Sequence, residues 1–318
     1  MPAAKMSDER ENRMWAHIIV LAISAGLAAM PVADAHATDD LTIEYQDVAR
    51  HYLMHRPETG VPGQPLVIYL HGLRPAGWQN HPQPEFDAAA DREGFVVTYP
   101  EALEHRWSYT GQLSEPVKAG EQVADDVGFI GKLIDDLAAR KIADERRVYI
   151  IGESRGGLMT FELMCRLADR IAAAGPLITG MTEAQRDACK STRAVPVFAV
   201  DGTNDPIQRY DGWLFPTGRL LSVPETLEFW RSQHGCTGQK ATFLAHRIAT
   251  DPTRVLLVEW TGCTAGDAVR LYRLNGGGHH VPSFTPVPDE DWAKQAGRQN
   301  QDIETINEFW TFAKRFSH

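Results

Sequence analysis

The chain has 318 residues, 43% hydrophobic and 23% charged, with a formal net charge of −10. That length suits one large domain or two small ones, and the composition is that of a globular protein. No basic cluster interrupts the acidic balance, which argues against a nucleic-acid partner.

Residues 18–30 are almost wholly apolar and are followed by Ala33-Asp34-Ala35 and Ala35-His36-Ala37. A short apolar run ahead of spaced small residues is the pattern of a secretory signal peptide. The run is too short to span a bilayer comfortably, and the alternative reading is an uncleaved anchor. The expected organisation is a leader over residues 1–37 and a single catalytic domain over 38–318. The mature protein is expected to be secreted or periplasmic, with no stable membrane insertion.

Further along, Leu66-Val67-Ile68-Tyr69-Leu70 is a continuous apolar run ending at His71-Gly72, as in a central parallel strand. Residues 86–92 read as a helix and 94–99 as the next strand, stopped by Pro100. Residues 125–139 carry Val127, Ile130, Leu133, Ile134 and Leu137 at helical spacing. Asp125 and Asp126 at its head read as caps or loop ties. Then Val148-Tyr149-Ile150-Ile151 leads into Gly152-Glu153-Ser154-Arg155-Gly156 and a helix over 155–167. Strands are expected at 175–178 and 195–200, a helix at 224–234, and strands at 255–260 and 268–274. A closing helix over 303–316 has Ile303, Ile306, Trp310 and Ala313 on one face. This alternation predicts an α/β fold with a mostly parallel central sheet and helices on both faces.

A strand, G-x-S-x-G and a helix in that order form the nucleophile elbow of an α/β-hydrolase, with partners following in the order Ser, acid, His. Ser154 is the expected nucleophile. The acid is expected just after the 195–200 strand, at Asp205 or its neighbour Asp201, which turn chemistry alone does not separate. The base is expected in Gly276-Gly277-Gly278-His279-His280, where spacing alone does not choose between His279 and His280. The oxyanion hole needs two backbone N–H donors, expected from Arg155 and from Leu73 in the loop after the first strand.

Four cysteines in an exported chain suggest two disulfides. Of three possible connectivities, Cys165–Cys189 with Cys236–Cys263 closes the shortest loops. No C-x-x-C pair occurs, so neither a zinc nor a redox site is expected.

Several ordered motifs together resemble the polyhydroxybutyrate-depolymerase-like esterases, relatives of the feruloyl and acetylxylan esterases of carbohydrate esterase family one. They are Leu70-His71-Gly72, the stretch 90–100, Asp125-Asp126-Val127-Gly128-Phe129-Ile130, Gly152-Glu153-Ser154-Arg155-Gly156-Gly157, Gly202-Thr203-Asn204-Asp205-Pro206 and Gly276-Gly277-Gly278-His279. The resemblance implies an α/β-hydrolase fold with Asp205 and His279 completing a triad with Ser154. It also implies a disulfide between Cys236 and Cys263. Three departures bear on the pocket. The family commonly continues G-G-G-H-T-W-P-G, and this chain has His280-Val281-Pro282 with no Trp. Arg155 stands where Asn is common, and Leu73-Arg74-Pro75 follows the H-G pair.

The resulting expectation is a serine esterase acting through an acyl-enzyme, without metal or organic cofactor. Its substrates would be small or polymer-linked esters of hydroxyalkanoate, feruloyl or acetyl type. Trp107, Trp213 and His280 are candidate substrate contacts, with Tyr109 beside them; plain packing under loops is the alternative. Two other functions remain open: acyl transfer on the same triad, and an inactive binding protein of the same fold.

Overall fold

The computed structural model describes residues 38–57, 60–73, 83–112, 123–264, 266, 268–287 and 289–318. The expected leader, residues 1–37, lies outside the described residues, as does Arg74.

The strands in chain order are β1 (Asp39–Tyr45), β2 (Val48–His55), β3 (Gln64–Leu70), β4 (Val96–Pro100), β5 (Ala143–Glu153) and β6 (Ala173–Leu177). They continue as β7 (Val197–Gly202), β8 (Trp213–Phe215), β9 (Gly218–Leu220), β10 (Gly238–Phe243), β11 (Arg254–Thr261) and β12 (Val269–Asn275). The α-helices are α1 (Pro84–Glu93), α2 (Asp126–Ala139), α3 (Arg155–Arg166), α4 (Glu183–Ala188), α5 (Val223–Gln233), α6 (Glu290–Ala296) and α7 (Thr305–Ala313).

Ten strands form one sheet in the order β1-β2-β4-β3-β5-β6-β7-β12-β11-β10. The six from β4 to β12 run parallel. The outer pairs β1–β2 and β11–β10 extend the sheet antiparallel. This is the mostly parallel sheet expected from the alternation of elements.

Successive side chains of a strand point to opposite faces. Leu66, Ile68 and Leu70 of β3 therefore enter one core, with Phe129 and Leu133 of α2, Leu158 and Phe161 of α3 and Leu227 of α5. Val67 and Tyr69 enter the other, with Phe86 of α1 and Ile306 and Phe309 of α7. A strand covered on both faces needs apolar residues throughout, which explains the unbroken run in β3.

The edges are what the apolar pattern did not announce. β1 is largely exposed and buries only Ile43, so it lacks a hydrophobic signature. Its turn into β2 is tight, with Gln46 and Asp47 both at positive φ. At the other end of the chain, α7 begins at Thr305, and Ile303 is buried ahead of the helix.

Asp125 caps α2 by accepting the N–H of Gly128 at 2.9 Å. Asp126 is buried and accepts from Arg50 of β2 at 2.6 Å and from the N–H of Ser108 at 2.7 Å. These are the cap and the loop tie expected of the pair. Both disulfides are present, Cys165–Cys189 and Cys236–Cys263.

Candidate active site

Ser154 sits between β5 and α3 with φ 54° and ψ −113°, a region that residues with a Cβ avoid. The glycines of G-x-S-x-G let the chain close around it. A Cβ on Gly152 would overlap the carbonyl of Gly156, and one on Gly156 would overlap the carbonyls of Leu70 and His71. The N–H of Ser154 donates to the carbonyl of Leu177 at 2.9 Å, fastening the elbow to β6.

Asp205 follows β7 and His279 follows β12, and these strands are neighbours in the sheet. Their loops are laced together: the N–H of Thr203 donates to Leu274 O at 3.0 Å and that of Asn204 to Gly277 O at 2.9 Å. The Gly276 N–H donates to the hydroxyl of Thr203 at 2.9 Å. In this setting His279 Nδ1 lies 2.6 Å from Asp205 Oδ2, and His279 Nε2 lies 3.0 Å from Ser154 Oγ. Both His279 and Asp205 are buried. The carboxylate accepts at Nδ1, so that nitrogen carries the proton and Nε2 is left to accept from the serine.

The two rivals lie elsewhere. Asp201 ends inside β7, accepts the N–H of Thr179 at 2.9 Å and is wholly buried. Burial first, and the neighbouring Asp205 charge second, push its carboxyl well above the usual carboxylate range. His280 is buried beside His279; desolvation, then the adjacent His279, lower its pKa. Its Nε2 has no hydrogen-bond partner among the described residues.

Leu73 follows the His71-Gly72 pair at the end of β3, and Arg155 opens α3. His71 braces this loop: its Nε2 accepts the Ala102 N–H at 3.1 Å, so Nδ1 carries the proton donated to Gly72 O at 2.6 Å. The Arg155 guanidinium is half-buried, and that burial lowers its pKa.

Trp107 corrects one expectation. It is fully buried and donates its Nε1–H to the carbonyl of His71 at 2.9 Å. It is a strut beneath the loop and has no free face for a ligand. Tyr109 is likewise buried. Trp213 is 44% exposed in the β8–β9 hairpin, with the Arg209 guanidinium 4.3 Å above its ring.

Two side chains near the serine carried no sequence signal. Gln208 is buried and donates from Nε2 to Ser154 Oγ at 3.2 Å; a lone glutamine belongs to no motif. Trp292 of α6 stands edge-on to His279 and His280, with ring centroids 6.3 and 6.2 Å away. Its helix is short and lies outside the Gly276-Gly277-Gly278-His279 motif, with Trp292 13 residues beyond His279. Among the described residues, no group of three or more His, Cys, Asp or Glu is placed to hold a metal ion.

A doubly covered parallel sheet with a strained serine at the end of a central strand defines an α/β-hydrolase. Residues 50–213 match the family described as esterase PHB depolymerase, and the chain belongs to that family. It is 29% identical over 248 residues to a bifunctional acetylxylan esterase/xylanase of Neocallimastix patriciarum, covering 77% of this chain and 33% of that protein. It is 27% identical over 230 residues to feruloyl esterase B of Piromyces equi, covering 70% of this chain and 40% of that one. The chain thus spans well under half the length of these two relatives. The solved acetyl xylan esterase from Aspergillus awamori shares the fold, with a TM-score of 0.52 and 14% identity over 81% of this chain and 98% of that chain.

Proposed function

We propose that the protein is a serine esterase that hydrolyses carboxylic esters through an acyl-enzyme on Ser154. The observation that carries this reading is the continuous hydrogen-bonded chain from Ser154 Oγ through His279 to Asp205. Ser154 Oγ attacks the ester carbonyl as its proton passes to His279 Nε2. Asp205 holds the ring in the required tautomer and stabilises the imidazolium. The N–H groups of Leu73 and Arg155 receive the oxyanion. The C–O bond to the alcohol breaks, the alcohol leaves with the proton from His279, and water then releases the acid by the same steps in reverse.

Family membership and the acetylxylan and feruloyl esterases among the relatives support hydroxyalkanoate, acetyl or feruloyl esters as the substrate class. These esters are either small or attached to a polymer. We also propose that the protein is exported with its leader removed, a reading that its two disulfides support.

The test is a panel of p-nitrophenyl esters of rising chain length plus methyl ferulate, run on wild type and Ser154→Ala. Hydrolysis by the wild type, with kcat/KM at least about 10⁴-fold lower in the variant, is expected. No turnover of any ester, with no labelling of Ser154 by a fluorophosphonate probe, would leave a binding protein of this fold as the better account.

A further inference from the structure

We infer that Gln208 is a fourth catalytic side chain, a hydrogen-bond donor to the reacting oxygen of Ser154; the inference rests on the triad reading above. Three contacts fix it. Nε2 lies 3.2 Å from Ser154 Oγ. Oε1 accepts from the hydroxyl of Thr179, just beyond β6. The backbone N–H donates to Asp205 Oδ1 at 2.8 Å, in the same turn that holds the triad acid.

The serine determines which end of the amide faces it. Ser154 has one hydroxyl proton, and that proton points to His279 Nε2. Its other polar neighbour must therefore donate, so the NH₂ end is turned to Oγ and Oε1 to Thr179. The Gln208 N–H occupies one lone pair of Oγ and limits rotation of the hydroxyl. The nucleophile is thus aligned on the imidazole before substrate arrives.

The contact changes strength along the reaction. During acylation the Oγ–H bond breaks, its proton goes to His279 and Oγ forms a bond to the carbonyl carbon. During deacylation the C–Oγ bond breaks, and Oγ leaves with the electron pair and recovers a proton from His279. In both half-reactions Oγ carries more negative charge in the transition state than as hydroxyl or ester oxygen. A buried donor fixed on that atom therefore favours both transition states over their ground states.

The experiment compares wild type, Gln208→Met and Gln208→Glu by stopped-flow hydrolysis of p-nitrophenyl acetate. Fluorophosphonate labelling rate, pH profile and melting temperature are recorded alongside. Gln208→Met keeps the length of the side chain and removes the donor. It is expected to slow acylation, deacylation and labelling by about 10- to 100-fold, with KM little changed by comparison. Gln208→Glu can still accept from Thr179, and it donates to Oγ only when protonated. Its rate relative to wild type is expected to rise as pH falls, which a purely structural role would not produce. If the Met variant melts early, that pH ratio decides the matter. Met-variant rates within about twofold of wild type at an unchanged melting temperature overturn the proposal, as does a Glu-to-wild-type ratio that is flat with pH. A wild type that neither turns over nor labels overturns the triad reading itself, and this proposal with it.

Discussion

One oxygen of the Asp205 carboxylate lies 2.6 Å from His279 Nδ1, and the other accepts the backbone N–H groups of Ile207 and Gln208 at 2.7 and 2.8 Å. The carboxylate is thus oriented by its own turn before it meets the imidazole. The lacing of the β7 and β12 loops then sets the separation between the carboxylate and the imidazole.

That arrangement makes Asp205→Asn informative. The amide oxygen keeps the two backbone N–H bonds, so the NH₂ end must face His279 Nδ1. The ring is then forced to carry its proton on Nε2, where it cannot accept from Ser154. The expected result is kcat on p-nitrophenyl acetate lower by about 10³- to 10⁴-fold with the fold retained. A kcat within about tenfold of wild type would show that Asp205 does not set the tautomer.

Asp201 calls for the opposite outcome. Burial pushes its carboxyl well above the usual carboxylate range, so Asp201→Asn replaces a group that resists ionisation with a neutral amide of the same shape. Activity is expected to stay within about threefold of wild type. Stability should change with pH. A carboxyl whose pKa is raised on folding binds more protons folded than unfolded. It therefore costs stability as pH rises from its unfolded value towards its folded one. The Asn variant escapes that cost. Its melting temperature should exceed that of wild type at neutral pH, by an amount that shrinks as pH falls towards 4. A difference that does not vary with pH would rule the explanation out.

The parts of the molecule legible in the sequence are those where one physical requirement dictates residue type. β3 is covered on both faces, so it had to be apolar throughout. Gly152 and Gly156 sit where a Cβ would meet backbone, so the elbow could be read as a motif. Asp205 was separable from Asp201 only by resemblance, because the two stand four residues apart at the end of one strand and only the folded chain shows which of them reaches His279 beyond β12. Strand β1 left little trace because a largely exposed edge strand needs only one buried residue, Ile43. Gln208 left none: its importance depends on the serine and threonine it lies between, which are 54 and 29 residues away along the chain.

The disulfides are expected to contribute stability without touching the chemistry. They join residues 24 and 27 positions apart, and a loop of that size corresponds to about 3 kcal/mol for each bridge in the chain-entropy account. Cys165→Ser with Cys189→Ser, and the matching pair at Cys236 and Cys263, should each lower the midpoint of urea denaturation measurably. The kcat at 25 °C should be retained. A double variant with an unchanged midpoint would mean that its bridge is energetically silent.

Trp292 stands where it can act on substrate. The G-G-G-H stretch lacks the tryptophan common to its family, yet an indole from α6 lies edge-on to both histidines and is 39% exposed. The helix is fastened there, because its last carbonyl, that of Ala296, accepts the His279 N–H at 2.6 Å. A partly exposed indole beside His279 offers stacking to a planar acyl or alcohol group, and aromatic pairs of this kind are worth about 1 kcal/mol. Trp292→Ala is therefore expected to raise KM for methyl ferulate by about fivefold while changing KM for p-nitrophenyl acetate much less. If both substrates instead lose kcat equally with KM unchanged, the indole serves to hold His279 and contributes nothing to selecting the ester.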